Sequence, residues 1–153
     1  MEGVRFSAAH FIYSDEFREN LHGHNYTAGA EIEGEIGPAG MVINFLDLKG
    51  ALLEACEPLD HKVLLPGANP LVKLSGDSEG SKEVRVVCEY GEEYVFPRNA
   101  AVVLRLQNVT AENLAHYIAE LLRNKLLQRA TAVAITVEVK ETPEFGARVR
   151  LEL

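Results

Sequence analysis

Several things are scarce in this chain, and each scarcity excludes something. No apolar run approaches the ~18–20 residues that a membrane-crossing helix needs; the longest, such as Ala100–Leu104, are short. There are only two cysteines, Cys56 and Cys88, too few for a disulfide framework. One falls in a helix-like stretch and one in a strand-like stretch, so both are read as reduced. Basic residues are in deficit, 15 against 23 acidic, for a net charge of −8, and no Lys/Arg cluster interrupts the balance. That disfavours DNA, RNA and anionic membranes as partners. No repeat recurs at 20–50 residue spacing, which argues against a solenoid or propeller. The N-terminal Met1-Glu2-Gly3-Val4-Arg5 lacks a signal-peptide layout, so the cytoplasm is the expected location.

What remains is a chain of 153 residues, 47% hydrophobic and 25% charged, as expected of one globular domain spanning residues 1–153. Val4 to His10 reads as a strand. From Tyr26 to Ile36 the residues alternate, with Tyr26, Ala28, Ala30 and Ile32 on one face and Thr27, Gly29, Glu31 and Glu33 on the other. Met41-Val42-Ile43 reads as a further short strand after the Gly37–Gly40 turn. Asn44 then caps a helix carrying Leu48, Leu52 and Leu53, which Pro58 ends. A second helix is predicted from about Thr110, its cap, to Gln128, with Ala111, Ala115, Ile118, Leu122 and Leu126 as its apolar stripe. Alternation returns at Ala132–Glu141, with Val133, Ile135, Val137 and Val139 on one face, and again at Val149, Leu151 and Leu153.

The segment from about 66 to 99 differs. Residues 75–83 are polar and read as a mobile loop, while Val84–Cys88 and Tyr94–Phe96 flank Tyr90-Gly91-Glu92 as a β-hairpin. The order predicts an α+β fold, an antiparallel sheet with helices on one face. The other sheet face is left uncovered, and an oligomer that joins sheets side by side would also protect their edges.

His22-Gly23-His24 is the sharpest local feature. On a strand, residues i and i+2 face the same way, so two imidazoles reach one ion. His10 ends the neighbouring strand-like segment, and three imidazoles with an open position suit a catalytic zinc site. On the motif alone, a chance pair of surface histidines is an equally good reading. His116 reads as a solvated histidine, and Glu31, Glu33 and Glu35 as a wet sheet face.

The flanking residues go further. Phe6-Ser7-Ala8-Ala9-His10-Phe11, Leu21-His22-Gly23-His24-Asn25-Tyr26, Gly40-Met41-Val42-Ile43-Asn44-Phe45, Leu59-Asp60-His61-Lys62, Thr110-Ala111-Glu112-Asn113 and Val139-Lys140-Glu141-Thr142, in that order, resemble the 6-pyruvoyltetrahydropterin synthase / 6-carboxytetrahydropterin synthase family. The likeness spans nearly everything outside residues 66–99. It implies the tunnelling fold, a four-stranded antiparallel sheet with two helices on one side, assembled as trimers that pair into a homo-hexamer. It implies zinc on His10, His22 and His24, a catalytic Asp60–His61 pair, and Glu141 as the anchor for a pterin's amino group and ring N–H. Thr110 lies in a family motif, so a substrate contact is implied there, although capping also explains it.

Two positions depart from the pattern. Where many members carry a cysteine four residues before the first histidine of the His-x-His motif, this chain has Arg18, and Glu19 follows. That resembles the branch in which glutamate replaces cysteine and 6-hydroxymethyl-7,8-dihydropterin is the product. The expected substrate is therefore 7,8-dihydroneopterin or its phosphate esters. Formation of 6-pyruvoyl- or 6-carboxy-tetrahydropterin is the first alternative, and a non-catalytic pterin-binding oligomer the second. Lys62, Lys140 and Arg148, the few basic motif residues in a chain of net −8, only weakly favour a triphosphate. The second departure is Asn44, where the family usually has aspartate.

Overall fold

The computed structural model describes residues 3–126 and 132–153. In chain order the elements are β1 (Val4–Tyr13), β2 (Arg18–Gly34), α1 (Phe45–Cys56), β3 (Lys62–Pro66), β4 (Val72–Ser75), β5 (Glu83–Cys88), β6 (Glu93–Pro97), β7 (Ala101–Leu104), α2 (Ala111–Leu126), β8 (Ala132–Lys140) and β9 (Gly146–Glu152). Among the described residues no helix is long and apolar enough to cross a membrane. The predicted end of the second helix at Gln128 lies outside the described residues.

The main sheet corrects the expected four antiparallel strands. It has six strands in the order β7-β3-β1-β2-β8-β9, and β1–β3 and β3–β7 pair in parallel. The four expected strands are β1, β2, β8 and β9. The two additional ones are short runs, Lys-Val-Leu-Leu-Pro and Ala-Val-Val-Leu, whose Leu64, Leu65, Ala101 and Leu104 are buried. Parallel strands buried on both faces read as continuous apolar runs, so no period-two signal betrays them. Met41-Val42-Ile43 forms no strand. It leads into α1, with Ile43 buried and Met41 exposed.

The chain divides into two compact units. One contains the described residues up to Phe6, Asn25–Pro58 and Ala111–Leu153. In it, β2 and β8 pair antiparallel with Ala28 opposite Val139 and Ala30 opposite Val137, and β8 and β9 pair with Ile135 opposite Leu151. Ile135, Val137 and Val139 are buried as predicted, but Val133 at the strand's start is exposed. Helix α2 packs on β8, β9 and α1, burying Leu114, Ala115, Ile118, Ala119 and Leu122 completely. Glu54 and Lys125 form an ion pair linking α1 to α2. Tyr26 stacks on Phe6 with ring centroids 4.9 Å apart.

The other unit contains Ser7–His24 and Leu59–Thr110. Its core is Phe11, Tyr13, Leu65, Val72, Val84, Val86, Cys88 and Ala101. The predicted hairpin is present as β5 and β6, and β4 joins it to make a second sheet of order β4-β5-β6. Its turn depends on Gly91, whose φ of 107° is disfavoured for any residue with a Cβ. Buried Asn69 ties the segment down: its amide donates to the Tyr13 and Gln107 carbonyls at 2.8 and 2.6 Å, and its Oδ1 accepts from Leu71 N. Cys56 and Cys88 are both free and buried, and burial pushes their thiols up to about 12 and about 11.

Candidate metal centre and active site

The histidine cluster is built by two strands. His22 and His24 lie at alternate positions of β2, and His10 lies near the end of β1. Gly23 lets the strands approach, because a Cβ there would meet the Ala8 carbonyl oxygen at 3.2 Å. Ring centroids are 4.5 Å apart for His10–His22, 4.8 Å for His22–His24 and 5.2 Å for His10–His24. One ligand atom from each ring falls within 4.8 Å of the other two, so the three can converge on one ion.

Backbone carbonyls orient two of the rings. His10 Nδ1 lies 2.5 Å from Val109 O, and His22 Nδ1 lies 2.7 Å from Asn20 O. A carbonyl only accepts, so each Nδ1 carries the proton and each Nε2 presents a lone pair, the state a metal ligand requires. Burial holds the His10 imidazole below its ordinary pKa and hence neutral, as ligation also demands. The donor set fits zinc, which accepts three imidazoles and keeps a position open. Sequence reading missed Val109 and Asn20, because a carbonyl contribution leaves no side-chain signature.

Glu19 is exposed on the same strand, three residues before His22; burial lowers the His10 pKa, the Val109 carbonyl opposes it, and the Glu19 charge adds a smaller effect in the raising direction. Arg18 lies with its guanidinium carbon 4.7 Å from the centre of the Tyr90 ring. Cys56 is inside α1 and Cys88 inside β5, each buried and protonated at neutral pH.

Asp60 and His61 form a pair, Oδ2 to Nδ1 at 2.9 Å. The other Asp60 oxygen accepts from Ser7 N at 2.8 Å, while His61 N donates to Ser7 O at 2.7 Å. Both residues thus hang from β1 three positions before His10. His61 adopts φ 56°, a left-handed conformation rare outside glycine and asparagine, which marks a position held by its surroundings. The Ser7 N–H, and then His61, hold the Asp60 carboxyl below its usual range. The ionised carboxylate keeps the proton on His61 Nδ1 and leaves Nε2 to face solvent, on a ring 83% exposed.

Thr110 follows Val109 directly and precedes α2. Glu141 follows β8 in the first unit, where burial, and then the Glu141 charge, raises the Tyr26 hydroxyl pKa. His116 is exposed, and Glu31 and Glu33 pair with Arg148 and Arg150 across the strands, as a wet sheet face should.

Comparison with known proteins agrees with this arrangement. Residues 2–152 match the family described as 6-pyruvoyl tetrahydropterin synthase. A Pyrococcus abyssi protein provisionally named a 6-carboxy-5,6,7,8-tetrahydropterin synthase is 34% identical over 97% of this chain and 87% of its own. The dihydroneopterin monophosphate aldolase of Pyrococcus furiosus is 41% identical over 39% of this chain and 50% of its own. The Plasmodium vivax 6-pyruvoyltetrahydropterin synthase, solved with its catalytic glutamate changed to cysteine, superposes with a TM-score of 0.87, at 30% identity, over 97% of this chain and 92% of that one. The chain belongs to the 6-pyruvoyl tetrahydropterin synthase family of pterin lyases.

Proposed function

We propose that this enzyme is a zinc-dependent lyase that shortens the side chain of 7,8-dihydroneopterin, free or phosphorylated, to give 6-hydroxymethyl-7,8-dihydropterin. The observation that carries the reading is Glu19, an exposed carboxylate on β2 three residues before His22, directly after Arg18, which stands where many family members have a cysteine. Its likenesses to an aldolase acting on dihydroneopterin monophosphate and to a synthase with a catalytic glutamate support it.

Zinc on His10, His22 and His24, when bound, makes a side-chain hydroxyl more acidic. Glu19 takes the proton from the C2′ hydroxyl. A carboxylate of ordinary pKa ~4.3 is too weak a base for a carbon acid but adequate for an acidified hydroxyl. As the C2′ oxygen becomes a carbonyl, the C1′–C2′ bond breaks and its electron pair passes into the dihydropterin ring. Glycolaldehyde, or its phosphate, departs. C1′ then takes a proton from His61, whose Nε2, protonated from solvent while Asp60 holds Nδ1–H, is the donor. Glu141 accepts the pterin amino group and ring N–H in two parallel bonds, with Thr110 as a further contact.

The second reading keeps the same residues and yields 6-carboxy- or 6-pyruvoyl-tetrahydropterin, favoured by the Pyrococcus abyssi likeness. Product analysis with dihydroneopterin, its monophosphate and its triphosphate separates the two. Glu19→Gln, folded and zinc-loaded, is expected to lose ~10²–10⁴ in turnover, the worth of a positioned general base. Wild-type turnover in that variant rules out the base role.

A further inference from the structure

Glu19 sits at the second residue of β2, where strands begin to fray. Its neighbours, however, are clamped. The turn between β1 and β2, residues 14–17, closes on itself through Ser14, which exchanges bonds with Phe17 at 2.9–3.0 Å. Against this turn lies the tip of the β5–β6 hairpin, within the same compact unit. The Arg18 guanidinium lies over both the Tyr90 ring, at 4.7 Å, and the Tyr13 ring, at 6.0 Å, while the two rings stack with centroids 6.0 Å apart. The Tyr90 hydroxyl donates to Asp15 Oδ1 at 2.5 Å. The Tyr13 hydroxyl donates to Glu92 Oε2 at 2.5 Å and accepts from Tyr90 N at 3.0 Å. Gly91, at the hairpin tip, is what lets Tyr90 and Glu92 both turn toward this cluster.

We propose that Tyr90 and Arg18 are positioning residues for Glu19: the hairpin tip of the 66–99 segment braces the first residues of β2 and so holds the carboxylate toward the histidine cluster. The proposal rests on the Glu19 reading above and adds a role for the inserted segment. An exposed glutamate on an unbraced strand end samples many rotamers, and a base is effective only within hydrogen-bond reach of its proton. Arg18, occupying the position of the thiol in other members, is used here as a cation on two aromatic faces, with the carboxylates of Asp15 and Glu92 bonded to the same two tyrosines.

The test uses the full-length zinc-loaded protein with 7,8-dihydroneopterin as the probe. Tyr90→Ala is expected to lower kcat by about tenfold with KM and zinc content unchanged, the scale of losing one cation–π contact and one hydrogen bond. Tyr90→Phe keeps the stack on Arg18 and loses only the Asp15 bond, so it is expected to retain most of the wild-type rate. Arg18→Gln leaves the hairpin intact and is expected to behave as Tyr90→Ala does. In a Glu19→Gln background, Tyr90→Ala should cost nothing further, because its effect runs through the group already removed. Independently of turnover, amide exchange across residues 14–21 should quicken about threefold to thirtyfold in Tyr90→Ala, with residues 26–34 unaffected. Wild-type kcat in both Tyr90→Ala and Arg18→Gln, or losses that multiply with Glu19→Gln, overturns the brace. A rise in KM alone for Arg18→Gln makes it a substrate contact and also overturns the brace. If Glu19→Gln itself turns over normally, the base reading fails and the brace falls with it; if only Glu19→Gln is impaired, the brace alone fails.

Discussion

At the residue scale, the site is legible wherever chemistry requires a particular side chain and silent wherever the backbone serves. His10, His22 and His24 are read from their types and spacing, Asp60 and His61 from the family resemblance, and the structure gathers the three imidazoles and pairs Asp60 with His61. The carbonyls of Asn20 and Val109 and the Ser7 amide do as much to set those tautomers, yet any residue could supply them. Removing two ligands with His22→Ala/His24→Ala is expected to abolish stoichiometric zinc in metal analysis, and zinc retained at one per chain sinks the assignment. The Asp60–His61 pair has a pH signature. Asp60's folded pKa is depressed, so the charged pair is favoured above the ordinary carboxylate pKa of ~3.9 and is lost as pH falls through the lower folded value. Following the Asp60 carboxyl by NMR should therefore give a midpoint below ~3.9. Asp60→Asn still accepts from Ser7 N but no longer enforces the His61 tautomer, and turnover should fall by at least ~10² with folding intact.

At the element scale, periodicity reveals what one-sided burial creates. Helix α2 was legible from its stripe, and β8 and β9 from alternation, because each buries one face. Two kinds of strand escape this logic. β3 and β7 are short and buried on both sides. The first part of β2, Arg18–Asn25, is largely exposed or half-buried and carries the candidate metal ligands His22 and His24 in place of an apolar face, so no alternation announces a strand. Asn44 shows the opposite case, a departure from the family that local structure explains. Its Oδ1 accepts from Leu46 N at 2.9 Å, the bond an N-cap makes, and aspartate would make it equally well. Asn44→Ala should therefore cost ~0.5–2 kcal/mol in urea denaturation and Asn44→Asp almost nothing. Zinc content should be unchanged in both, since the identified partners of the His10 and His22 Nδ1 atoms are the Val109 and Asn20 carbonyls.

At the scale of the whole molecule, a single chain leaves surfaces that water does not favour. Ile36, Phe45, Leu46 and Phe145 are each at least 70% exposed. In the first unit, Ile36 and Phe45 line a groove of about 750 Å³ with Met41, Val42 and Ile43. Large apolar side chains gathered on one surface are what interfaces bury and monomers avoid. The six-stranded sheet also ends at β7 and β9. β9 places Arg148, Arg150 and Glu152 in solvent, and the first two reach back to Glu31 and Glu33. Such charges discourage indiscriminate edge pairing while still permitting one defined partner. A homo-hexamer built from two trimers, the assembly the family resemblance implies, would close these edges and cover the apolar residues. Light scattering at micromolar concentration should then give six times the 16.9 kDa of one chain. Phe45→Glu and Leu46→Glu, which place charge on exposed positions of α1 without touching its buried face, should shift the distribution toward smaller species. A monodisperse 16.9 kDa particle in the wild type overturns the assembly, whatever the variants do.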